Sequence, residues 1–329
     1  MKKIQILILL FVIPLLGFAA ERPKIIATAS MISDMAQNIV GDKFEVVTIV
    51  PIGKDPHTYE PTPGDATMVA NADVIFKNDL TFEGWLGKLI DNSGTKADVV
   101  KVTEGVEVIA SLAYANSADP HAWMNALNGV VYAENIKNAM VKYDPTNKDF
   151  YEKNFLAYKN KLQGLDQYIQ SEIQKIPEQQ RILITSHDAF QYYGRRYGIR
   201  LESILGTSTD AQAQTSDIVR LDKVIKGNNV PAVFIESTVN PKMLQELANS
   251  NDITIGGSLY SDSIGNKDSN APTYYDMLKT NTDIIVNALS RKVTPKIAET
   301  PSSNNGILYG ILGLLFVGAF FFVYNSMNK

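Results

Sequence analysis

The chemistry of this 329-residue chain is concentrated in three histidines, at positions 57, 121 and 187. They sit in DPHTYEP (55–61), ADPHAWMN (118–125) and TSHDAFQYYGRRYG (185–198). His57 and His121 each follow an Asp-Pro pair, which disfavours helix just before the imidazole and places it in a loop. Loops at strand ends are where ligand-binding residues are mounted in α/β sheets. The chain has no cysteine, so a transition-metal site has to be built from imidazole and carboxylate. A carboxylate of the same positional class is Asp262, in SLYSDSIG (258–265). Glu60 and Glu236 lie near these motifs and read either as further ligands or as acceptors behind the imidazoles. Trp85, Trp123, Tyr192, Tyr193 and Tyr197 read as core or cleft wall.

The elements that must position these residues alternate along the chain. Short β-branched runs at 24–29, 44–50, 74–77 and 98–102 predict strands, with helices near 32–40, 63–71 and 82–92 between them. Thr62 before Pro63, with Asp65 in the first turn, is a helix start. A helix near Leu127 follows His121. A proline-free stretch from 147 to 176 predicts one helix of about 29 residues, on the order of 43 Å long, stopped by Pro177. The alternation then resumes, with strands at 182–185, 201–204, 233–236 and 253–255, and helices near 189–197, 215–226, 241–249 and 273–289. This pattern predicts an α/β fold of two lobes, each a mostly parallel sheet with flanking helices, joined by one long backbone helix. The expected lobes span 20–145 and 178–293, with the linking helix at 146–177. Two candidate ligands fall in each lobe, so the four meet only in the cleft between lobes.

The ends of the chain read differently. Lys2 and Lys3, an apolar run over 6–18 and a small-x-small site at 17–19 predict a signal peptide at 1–19. TPKIAETPSSNN (294–305) is a polar linker, and the stretch 306–324 carries no charge. Nineteen helical residues reach roughly 28 Å, enough for a transmembrane anchor. The protein is thus expected to be exported and held at the outer face of the cytoplasmic membrane by its C-terminal helix. A formal charge of −4 with interspersed signs makes nucleic acid an unsuitable partner.

GKDPHTYEPTPGDATMVANADVIFKN (53–78), DPHAWM, TSHDAFQYYGRRYGI and LYSDSIG together resemble the solute-binding proteins of zinc and manganese ABC importers, the cluster A-I, TroA/ZnuA-like family. The likeness runs from about residue 24 to 289, with four motifs in order. It implies that His57, His121, His187 and Asp262 bind the metal, and that the protein passes it, as a monomer, to a permease in the cytoplasmic membrane. The chain departs from the family in Met124-Asn125-Ala126 after DPHAW, in lacking a His-rich loop, and in having no N-terminal cysteine for a lipid.

Three imidazoles and one carboxylate suit Zn²⁺, with Mn²⁺ second because a bidentate Asp262 would supply extra oxygen. The competing readings are a surface adhesin of the same family, for which no separate adhesive module is present, and a zinc hydrolase. A hydrolase needs an open metal position and a local base such as HExxH provides, and that motif is absent. Capture of a siderophore or cobalamin would call for an aromatic or arginine-lined cleft instead of a histidine cage.

Overall fold

The computed structural model describes residues 24–111 and 117–291. The expected signal at 1–19, the linker at 294–305 and the stretch 306–324 all lie outside the described residues; among the described residues no helix is long and apolar enough to cross a membrane.

The first half runs β1 (Ile25–Ala27), α1 (Ser30–Val40), β2 (Val46–Thr48), α2 (Pro63–Ala70), β3 (Val74–Lys77), α3 (Leu86–Ser93) and β4 (Asp98–Lys101). The four strands form one parallel sheet in the order β2-β1-β3-β4. Alternate residues serve opposite faces, as strand geometry requires. Ile25, Ala27, Val74 and Phe76 join the core with α1, whereas Ile26 and Ile75 join Val69, Leu86 and Leu89 on the other side. Burial on both faces is why these strands read as unbroken apolar runs. The predicted start of α2 holds: Thr62 Oγ1 accepts the Asp65 N–H at 3.3 Å and the Asp65 carboxylate accepts the Thr62 N–H at 2.7 Å. The helix expected near 82–92 begins only at Leu86, after a turn whose first residues, Asp79, Leu80 and Thr81, take left-handed backbone, with φ of 69°, 53° and 70°.

The middle of the chain holds the two helices expected near Leu127 and over 147–176. The helix near Leu127 is α4 (Ala126–Tyr143), 18 residues long, and Asn125 caps it by accepting the Leu127 N–H at 3.0 Å. After a 3-10 turn at Pro145–Asn147 comes α5 (Lys148–Ile173), 26 residues. Tyr151, Phe155, Tyr158, Leu162, Leu165, Ile169 and Ile173 form its buried stripe, at the three-to-four spacing of a core-facing helix. It packs against both α1 and α4.

The second half runs β5 (Ile182–Thr185), α6 (Gln191–Tyr197), β6 (Arg200–Ser203), α7 (Thr215–Asn228), β7 (Ala232–Glu236), α8 (Lys242–Asn251), β8 (Thr254–Leu259) and α9 (Tyr274–Leu289). Its strands do not make the single sheet expected from their alternation: β5 pairs with β6 and β7 with β8, both in parallel, and β5 and β7 are only neighbours. β8 also runs four residues past its expected end at 255. Gly256 and Gly257, inside this strand, are packing positions. A Cβ on Gly256 would meet Phe234 at 2.6 Å, and one on Gly257, at φ +155°, would meet Ile284 of α9 at 2.6 Å.

Candidate metal centre

The sequence Asp-Pro-His folds the same way twice. The His57 N–H donates to Asp55 Oδ1 at 2.9 Å, and the His121 N–H donates to Asp119 Oδ1 at 2.9 Å. Each aspartate thus closes a turn on the residue two ahead, a habit of its short side chain. The two carboxylates then diverge. Asp119 also lies 2.7 Å from Nδ1 of His121, whereas Asp55 reaches Thr209, far along the chain in the second half. His187 stands two residues beyond β5, with its N–H on Glu236 Oε1 at 2.8 Å and its Nδ1 2.7 Å from Glu236 Oε2. Asp262 follows β8 by three residues, and the Ser261 carbonyl beside it accepts Trp123 Nε1–H at 2.9 Å.

These elements bring all four predicted side chains together, with one ligand atom from each lying within 4.8 Å of the others. Nε2 of His121 is 3.2 Å from Nε2 of His57 and 3.3 Å from that of His187. Asp262 faces two imidazoles at once, with Oδ1 3.4 Å from His121 Nε2 and Oδ2 3.2 Å from His187 Nε2. Asp262 Oδ1 is fully buried and accepts no hydrogen bond, an arrangement that costs free energy unless a cation completes it. His121, His187, Asp119, Asp262 and Glu236 are buried. Exposed Glu60 is not part of the cluster. Glu236, one of the two carboxylates left open by the sequence, stands behind an imidazole. Asp119 was overlooked as a side chain, although the repeated Asp-Pro-His was its signal. Trp123 and Phe82 wall the cage, their rings 4.8 Å apart, and Phe82 meets His57 edge-on at 5.1 Å.

The electrostatics follow from this packing. Burial pushes His57 down to about 3, since Asp262 is not enough to hold a charge there beside two other imidazoles. Burial opposes charge on His121 too, but Asp119 and Asp262 outweigh it and raise the group to about 9. His187 goes up in the same way through Glu236 and Asp262, and Asp262 is held well below the usual carboxylate range by the two imidazoles despite its burial. Carboxylates on Nδ1 of His121 and His187 leave each Nε2 directed at the centre, the orientation that metal-binding histidines need. Of the four side chains, His57 lines the adjoining cavity, a space of about 600 Å³ bounded also by Thr81, Pro120, Thr207 and Asp210. His57 therefore stands between the cavity and the other three side chains.

The family model for ZnuA, zinc-uptake complex component A, periplasmic, matches residues 25–288. The metal ABC transporter substrate-binding lipoprotein FimA of Streptococcus parasanguinis is 37% identical over 309 residues, covering 88% of this chain and 100% of the relative. The manganese ABC transporter substrate-binding lipoprotein PsaA of Streptococcus pneumoniae is 35% identical, with the same coverage. Among solved structures, the periplasmic zinc binding protein TroA from Treponema pallidum superposes with a TM-score of 0.78 at 31% identity, covering 82% of this chain and 100% of the other.

Proposed function

We propose, from the premise that the chain belongs to the ZnuA family of periplasmic metal-uptake components, that it captures a divalent transition metal outside the cytoplasm and delivers it to an ABC importer permease. It is a substrate-binding component and not an enzyme. The observation that carries the reading is the convergence of His57, His121, His187 and Asp262 on one point. These four are the proposed ligands, held between a lobe of residues 20–145 and a lobe of 178–293 bridged by the helix of 146–177.

Zinc is our first choice among metals. The three separations that meet at His121, of 3.2 to 3.4 Å, suit a tetrahedral sphere with Zn–N bonds of about 2.0 Å, whose donors lie about 3.3 Å apart. Asp262 turns one oxygen toward each of two imidazoles, and bidentate binding through both would give the five-coordinate, oxygen-richer sphere that Mn²⁺ accepts. The relatives named for zinc and for manganese support either cargo. Nothing favours the adhesin reading, since the matched region is accounted for by the metal-binding fold.

The anchor completes the proposal. FimA and PsaA are lipoproteins by name, but this sequence has no cysteine to carry a lipid thioether. The charge-free stretch 306–324 is the segment we assign to that task. An anchor of this kind would keep the head near its permease at high effective concentration.

Metal analysis of the purified protein and its melting with added Zn²⁺ or Mn²⁺ test the function. Free metal at 1,000 times the dissociation constant adds about 4 kcal/mol of stability. A melting curve indifferent to both ions refutes the reading.

A further inference from the structure

Between β3 and α3 the chain holds three consecutive non-glycine residues in left-handed backbone, Asp79, Leu80 and Thr81. L-residues visit this region singly, and a run of three persists only where its surroundings over-determine it. Two buried side chains do so here. Oε1 of Glu83 accepts the Asn78 N–H at 2.7 Å and the Thr28 hydroxyl at 2.5 Å, while Oε2 accepts the Asp79 N–H at 2.9 Å. Burial pushes the Glu83 carboxyl up to about 6 against the pull of those donors. The Asn78 amide donates to the carbonyl of Pro120, the residue before His121, at 2.9 Å, and its oxygen accepts the Tyr132 hydroxyl at 2.5 Å.

The turn delivers Phe82 to the cage. Its buried ring stands edge-on to His57 at 5.1 Å and 87°, and to His121 at 6.3 Å and 74°. His121 and His187 each have a carboxylate at Nδ1. His57 has none, and among the described residues its Nδ1 takes part in no hydrogen bond. In place of a carboxylate, its ring has the edge-on packing of Phe82.

We propose that Glu83 is a positioning residue for metal binding: by clamping the left-handed turn it seats Phe82 against His57, and it thereby sets how fast the ion leaves past that imidazole. The inference rests on the metal-binding reading above. Glu83 touches none of the four proposed ligands, so its influence runs through the ring of Phe82 and, by way of Asn78 and Pro120, through the loop of His121.

The test uses the full-length protein with Co²⁺, whose visible spectrum reports coordination geometry, and a chelator chase that reads the release rate. In Glu83→Gln an amide NH₂ replaces an oxygen facing N–H donors, which opens the turn. Release should then be on the order of 10-fold faster, the scale of outer-shell effects on metal sites, with an altered Co²⁺ spectrum. Phe82→Leu keeps the clamp and removes the ring, so it should speed release in the same direction. The double variant should be no faster than the quicker single one, because opening the turn already removes the contact that Phe82 makes with His57. A Glu83→Gln protein that melts lower yet keeps the wild-type spectrum and release rate makes Glu83 merely structural and overturns the proposal. If Glu83→Gln does not fold, Phe82→Leu decides alone, with faster release supporting the proposal and an unchanged rate overturning it. A wild-type protein that binds neither Co²⁺ nor Zn²⁺ brings down the functional reading itself, and the inference with it.

Discussion

Metal binding should expel protons at a pH where ordinary imidazoles have none left to lose. Imidazoles near 6.5 would give up their protons mostly below pH 7. In this cage Asp119 and Asp262 outweigh burial and hold His121 at about 9, and Glu236 and Asp262 raise His187 as well. Each Nε2 faces a different oxygen of Asp262, at 3.4 and 3.2 Å, so the negative charge of that carboxylate lies against both imidazoles. Moving His121 from 6.5 to about 9 corresponds to roughly 3 kcal/mol of preference for the imidazolium. A metal ion needs the neutral lone pair, so affinity should climb as pH rises toward about 9, by roughly tenfold per pH unit for one displaced proton and a hundredfold for two. The metal-free fold should run the other way. The raised His121 contributes stability that is complete below 6.5 and lost as pH rises through about 9. Asp262, held low, contributes above 3.8 and loses that contribution as pH falls through its folded value. Calorimetric titration with Zn²⁺ at pH 7.5, in buffers of different ionisation enthalpy, counts the protons directly. We expect about one to two per ion, and about one fewer in Asp119→Asn. Release of less than about half a proton would refute the assignment of charge to His121 and His187.

Three further outcomes follow from particular contacts. His187→Glu should shift preference toward Mn²⁺ in competition titrations, since it exchanges an imidazole for a harder oxygen donor, and should destabilise the metal-free protein because Glu236 and Asp262 already flank that position. Gly194→Ala should cost about 1–3 kcal/mol in denaturant unfolding, because its Cβ would lie 1.9 Å from Leu201 Cδ2 and 2.5 Å from the Ile199 carbonyl. A chain ending at Thr300 should leave the membrane fraction with its metal affinity unchanged; a truncated protein that stays with the membrane would show that 306–324 is not the anchor.

The elements were legible where the pattern of side chains is local. β3 and β5 were read to the residue, because a short β-branched run bounded by polar residues has one reading. Thr62, Pro63 and Asp65 announced the start of α2 for the same reason. The extension of β8 through Gly256 and Gly257 was not legible, because what selects that pair is not local: Phe234 and Ile284, remote in sequence, leave no room for a side chain. The late start of α3 is of the same kind, since nothing in Asp79-Leu80-Thr81 asks for left-handed backbone and the donors to Glu83 that hold it there include Thr28, from before α1. Pairing of β5 with β6 and β7 with β8, in place of one sheet, was equally out of reach, because hydrogen-bond partners between strands are chosen by packing.

The four proposed ligands were also legible, because histidine is scarce here and its motifs are distinctive. That they converge, and how they are held, was decided by tertiary structure alone. Asp119 belongs to the same Asp-Pro-His as Asp55, yet only Asp119 braces its imidazole, while Asp55 bonds Thr209. The sequence determines which groups are able to bind a metal and where backbone turns present them. Distances of 3.2 to 3.4 Å between side chains up to 141 residues apart, and the protonation states that such distances impose, exist only once the chain has buried its strands and helices around them. Coulomb and hydrogen-bond energies depend on separation in space and on exclusion of water, and neither quantity is written in the order of residues.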